Sequence, residues 1–371
     1  MAVTPAPGQP DWELTRRWEY SLGLAPGYDT NVGFGGAGSG DFLVSPLADL
    51  GRVFPGPKGR LRVRGSGRGF VYRQETTWNR ADGELSVDGT RSLATSSTLR
   101  GAFSAGLGHT DSNHILSEQG VVLSPSRTHV LEGSTDLDIQ AGRRSTVRIS
   151  GRLYYTDFVD PQLVDSLSTR ASLSLGRHLS ERNTLAVQYG AEYSRLGSSA
   201  VSQVGSLEWE GVLSRHSAVL VEGGISYTSA EVPQGLVNAW NPYGGVSFAR
   251  ELGRSRVILY ARREVVPSFG IGGLRLADRF GLRVSVPVGR AWFDLEGSHV
   301  QRGATESSEQ GRELSDEASF GLRKGVGRRC AIALEGHYRR RGPVGPTPAV
   351  DGLQAALVVS FSNPGAGGGG I

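Results

Sequence analysis

The side chains best equipped for chemistry lie in GRLRVRGSGRGFVYR, residues 59–73, where Arg60, Arg62, Arg64, Arg68 and Arg73 are interspersed with Gly65, Gly67 and Gly69. Read as a motif, GxGxG and RGxGRG suggest a phosphate-cradling loop or a nucleic-acid-binding segment. Two other stretches invite similar readings. GFGGAGSG at 33–40 has the glycine content of a dinucleotide loop, but no strand and helix of a βαβ unit frame it. GHTDSNH brings His109, Asp111 and His114 together, side chains suited to a metal, without a further ligand at suitable spacing, and reads as an exposed polar loop. No GxSxG, HExxH or Walker sequence occurs, and His129, His178, His216 and His299 are scattered without a nucleophile beside them. No catalytic residue, metal or cofactor is therefore assigned, and the chain is read as a non-enzyme. The single cysteine, Cys330, excludes an intrachain disulfide and reads as a small packing residue.

The totals narrow the class. Against 40 basic residues stand 36 acidic ones, a net charge of +4, which describes a mixed surface and not a partner for nucleic acid. Glycine is abundant at 54 residues and apolar residues make up only 38%. Apolar runs alternating with amphipathic helices, the mark of an α/β enzyme, are missing, as is any apolar segment long enough for a transmembrane helix.

What positions the arginines is a period of two. Leu61, Val63, Gly65, Gly67, Gly69 and Val71 share one parity, and Arg62, Arg64, Ser66 and Arg68 share the other. The same alternation recurs in RRSTVRISGRLYYTDF, NTLAVQYGAEYSR and HSAVLVEGGISYT, and it continues to Phe361. Each dyad run is long enough for a tilted strand crossing a bilayer, about 9–11 residues. Strands are expected at 17–25, 42–51 and 60–73, and onward through 203–213, 217–228 and 239–250 to 352–362. Short joins such as QAGR, SRH and PVG alternate with long ones such as ETTWNRADG and SAEVPQGLVN. The expected fold is therefore all-β, a closed antiparallel transmembrane β-barrel of about eighteen strands with sixteen as the alternative. It would occupy residues 15–362, between a disordered N-terminal segment at 1–14 and a flexible tail at 363–371. Trp18, Tyr20, Tyr155, Tyr193, Trp209 and Tyr227 read as interfacial aromatics.

Two resemblances accompany this pattern. LQAALVVSF, with Leu353, Ala355, Leu357, Val359 and Phe361 on one face, resembles the C-terminal signal of outer-membrane barrels, although the chain runs ten residues further. WEYSLGLAPGYDTNVGF, through Tyr20, Gly27, Tyr28, Asp29, Thr30 and Asn31, resembles the start of porin-2-like barrels associated with capsular and exopolysaccharide export; NPYGGVSFARELG is a weaker match. The resemblance implies a Gram-negative outer-membrane location, contact with membrane lipid, and a passive conduit for a secreted or capsular polysaccharide working with periplasmic export proteins. A general or anion-preferring solute porin is the alternative, followed by a non-conducting structural barrel or a barrel enzyme.

Once parity assigns the lumen face, the expected pore-lining residues follow. They are Arg62, Arg64, Arg68, Arg100, Arg148, Arg152 and Arg170, then the acidic run Glu192, Glu208, Glu210 and Glu222, then Arg262, Arg283, Asp294 and Glu296. Such a lining either pairs its own charges across strands or selects solutes by sign.

Overall fold

A strand with one apolar and one polar face can cross lipid only if both of its hydrogen-bonding edges are paired. The computed structural model describes residues 18–32, 39–109, 127–161, 163–232, 235–267, 274–304, 313–327, 329–342 and 349–362. In chain order the strands are β1 Trp18–Asp29, β2 Asp41–Gly56, β3 Gly59–Tyr72, β4 Arg80–Ala94, β5 Ser97–His109, β6 Arg127–Gln140, β7 Ser145–Phe158, β8 Ser166–His178 and β9 Asn183–Leu196. They continue as β10 Ser198–Ser214, β11 Ser217–Val232, β12 Gly235–Leu252, β13 Ser255–Pro267, β14 Leu274–Val288, β15 Ala291–Ala304, β16 Glu313–Val326, β17 Cys330–Arg341 and β18 Val350–Ser362. Sequence neighbours pair antiparallel throughout, and β1 pairs with β18, so the eighteen-stranded sheet closes on itself.

Closure leaves two faces. Leu22, Leu24, Phe42, Leu61, Leu85, Leu107, Leu207 and Ile225 stand exposed on one of them. On the other, Arg68 and Arg80 of β3 and β4 border a single cavity together with Arg283 of β14 and Glu296 of β15, which is possible only through the lumen. The apolar face is therefore the outer wall. Trp18, Tyr20, Tyr155 and Tyr193 are exposed on it, and Trp209 and Tyr227 share it through their pairing with Val221 and Trp240. Toward the end of the barrel with the longer joins, the outer wall turns ionic. There His129 meets Asp157 at 2.9 Å and His299 meets Asp316 at 2.6 Å, while Arg263 holds Asp278 through two hydrogen bonds. Charges on a lipid-facing wall cost least near the membrane boundary, so these pairs mark the upper edge of the apolar belt.

Several strands outrun their expected ends. Gly27, Tyr28 and Asp29, read as part of a turn, belong to β1 and pair with Ala356, Ala355 and Gln354 of β18. At Gly27 the two strands come so close that a Cβ would lie 2.4 Å from the Ala355 carbonyl oxygen, a contact only glycine avoids. Thr30 and Asn31 then extend the seam. The Thr30 N–H donates to the Leu353 carbonyl at 2.9 Å, the Leu353 N–H to Thr30 Oγ1 at 2.8 Å, and Asn31 Nδ2 to the Asp351 carbonyl at 2.7 Å.

The alternation of long and short joins also breaks down on one arc. SAEVPQGLVN was expected as a long loop, but β11 and β12 run on until only residues 233–234 separate them, and β9 reaches β10 through Gly197 alone. Gly197 has φ +80°, which lets so tight a reversal form without strain. The segments 1–14 and 363–371, and most of GFGGAGSG and GHTDSNH, lie outside the described residues.

Candidate functional site

The register across strands decides what each inward charge meets. On β3, Arg62 Nη2 lies 3.2 Å from Glu19 of β1, and Arg64 Nη2 lies 2.7 Å from Asp49 of β2. Arg68 stacks its guanidinium 4.9 Å from the centre of the Phe70 ring, which also receives Arg80 at 4.2 Å. Arg100 and Arg148 converge on Asp138 of β6 at 3.7 and 2.6 Å. Arg152 stands directly opposite Arg170, and Arg170 in turn opposite Glu192. These pairs are partly exposed to the lumen, where an ion pair contributes about 0.2–1 kcal/mol. Their main consequence is therefore local charge balance.

Further round the wall the balance is different. β9 to β12 place no arginine on the inward face, since Arg195 and Arg250 fall on outward parity. Glu208 and Glu222 stand directly opposite one another, a like-charge pair. Neutral donors serve these carboxylates. Gln188 donates to Glu208 at 2.8 Å, Ser206 to Glu222 at 2.9 Å and Ser168 to Glu192 at 2.7 Å. Glu210 has no side-chain partner among the described residues. Arg262 reaches in from β13, donating to Tyr243 Oη and lying 3.1 Å from Glu264 and 3.8 Å from Glu222. Beyond it, Arg283 clamps Glu296 with bonds of 3.1 and 2.6 Å, and Asp294 accepts from Ser285.

The residues expected to line the pore share one parity on their strands, and most of them have a partner among the described residues. Sequence reasoning had not included Glu19, Asp49 or Tyr243 among them. A signal for the first two existed, because Glu19 alternates with Trp18 and Tyr20, and Asp49 with Ala48 and Leu50.

A closed barrel with an apolar belt outside and a charged, hydroxyl-rich wall inside is the architecture of a membrane-spanning pore protein. No family model and no curated protein matches the chain. Solved structures do. OccK2 (OpdF) of Pseudomonas aeruginosa is similar at 12% identity, with 93% of this chain and 98% of that one covered and a TM-score of 0.50. The same protein in complex with glucuronate aligns at 10% identity over 93% and 98% of the chains, again with a TM-score of 0.50. OpdO of P. aeruginosa aligns at 14% identity over 95% and 98%, with a TM-score of 0.49. At such identities the likeness is one of fold: this chain shares the eighteen-stranded barrel of the Occ and Opd outer-membrane porins.

Proposed function

We propose that the chain is a passive outer-membrane channel for small hydrophilic solutes, conducting through its lumen without covalent chemistry. The observation that carries this reading is the inward wall itself, which is ionic or hydroxyl-bearing round the ring while the outer wall is apolar. The porin barrels with which the fold is shared favour a solute channel over a polysaccharide conduit. The residues behind the conduit expectation, Asp29 to Asn31, serve here to hold β1 against β18 and Tyr72: Tyr72 Oη donates to Asp29 at 3.3 Å.

The channel is not anion-preferring. One matched structure holds glucuronate, but in this chain Arg62 and Arg64 already face Glu19 and Asp49, and β9 to β11 add carboxylates served mainly by neutral donors. The test is conductance of the folded protein in a planar bilayer. Stepwise, voltage-independent openings are expected, and a folded protein that never conducts overturns the reading.

A further inference from the structure

A cavity of about 560 Å³ opens in the lumen wall across β1 to β6, within the roughly 300–1,000 Å³ range of small-molecule sites. Two cross-strand rows build it. One runs Ser21, Asp49, Ser66, Glu84 from β1 to β4, and the other Arg64, Ser86, Ser104, Glu132 from β3 to β6. Adjacent members of a row are about 4.8 Å apart, the strand spacing. Ser66, Ser86 and Ser104 are accessible, and their hydroxyls make no hydrogen bond to any other described residue. Arg68, at the edge of the cavity, has a buried Nε without a partner among the described residues.

The chemistry of this recess differs from that of an ion site. Arg64 is held by Asp49 and Asp82 by Arg80 at 4.0 Å, and the remaining charges, Arg68 against Glu84 and Glu132, leave one carboxylate in excess, which disfavours anions. A serine hydroxyl both donates and accepts, a carboxylate accepts and a guanidinium donates. Interleaved in two rows, these groups match a ligand whose every polar group is itself both donor and acceptor. We propose that the recess is a binding site for neutral polyhydroxylated solutes, mono- or disaccharides, which dwell there during passage. This deepens the solute-channel reading and rests on it.

The test uses maltose as probe. In planar bilayers, maltose should block the wild-type current saturably. The triple variant Ser66→Ala, Ser86→Ala, Ser104→Ala should keep the unblocked conductance and raise the half-blocking concentration at least tenfold. Conduction without saturable maltose block, or block that survives in the triple variant, overturns the recess while leaving the channel standing. Block by choline in place of maltose also overturns it, since the recess would then be a cation site. Saturation-transfer NMR on the detergent-folded protein reads the same contact without conduction. Transfer to maltose in the wild type and its loss in the triple variant support the recess, whereas no transfer, or equal transfer in both, overturns it. A protein that binds maltose and never conducts would instead defeat the channel reading.

Discussion

Two walls of the same lumen solve the problem of inward charge differently. On β1 to β4, carboxylates meet guanidinium groups, Glu19 with Arg62 and Asp49 with Arg64, and the nearby hydroxyls of Ser66 and Ser86 are left unengaged by other described residues. On β8 to β11, where inward arginine is scarce, the carboxylates recruit neutral donors instead: Ser168 serves Glu192, Gln188 serves Glu208 and Ser206 serves Glu222. A neutral donor stabilises a carboxylate and leaves its charge in place, whereas a guanidinium cancels it. The first wall is therefore nearly neutral and rich in available hydroxyls, and the second is negative with its hydroxyls occupied. Charge selectivity belongs to the second wall and recognition of neutral solutes to the first.

The largest effect should come from removing the charge of the acidic wall. The double variant Glu208→Gln, Glu222→Gln is expected to shift the reversal potential in a salt gradient toward anions, changing the ion permeability ratio by roughly threefold to tenfold, as a potential of a few kT would. Arg262→Ser should move the same reading toward cations by a smaller factor, because it leaves Glu222 and Glu264 without their guanidinium; Arg262→Lys should largely restore it. Breaking one pair on the other wall with Arg64→Ser should also shift the preference toward cations. Deleting the whole pair with Arg64→Ser, Asp49→Ser should return it to the wild-type value. An equal shift in both of those variants would mean that Arg64 and Asp49 do not offset one another. The smallest expected difference is in stability. Ser206→Ala removes a hydrogen bond to a carboxylate and should cost about 1–2 kcal/mol in urea unfolding, while Ser66→Ala should stay within about 0.5 kcal/mol of wild type.

Much of this contrast was open to reading from the sequence, and the missing part has a physical cause. Parity alone placed Arg62, Arg64, Glu208 and Glu222 on one face, because a strand repeats every two residues wherever it lies. Pairing between neighbouring strands is another matter. Arg62 meets Glu19 across 43 residues of chain, and that encounter depends on the register of β1, β2 and β3 together. Pro26 and Pro46 disturb the pattern there: the β1–β18 ladder lacks pairs at Ala25 and Pro26, and the β2–β3 ladder lacks them at Ser45 and Pro46. The tight reversal at Gly197 and the extension of β11 to Val232 and of β12 back to Gly235 were hidden for the opposite reason. Ser, Gly, Pro and Gln look like loop residues by composition, yet their neighbours keep the alternation and let β9 to β12 run longer than expected. The acidic arc could be listed from sequence, but that the inward arginines nearest to it, Arg170 and Arg262, flank it and do not lie within it emerges only from the strand register.

One parity of every strand faces water and the other faces lipid, and thiol labelling in intact vesicles tests this most directly. In a Cys330→Ser background, Ser66→Cys and Glu210→Cys should react with a charged, membrane-impermeant thiol reagent and reduce the conductance, whereas Leu85→Cys on the outer wall should remain unmodified. Rapid labelling at Leu85→Cys with protection of the other two would invert the faces and contradict the account.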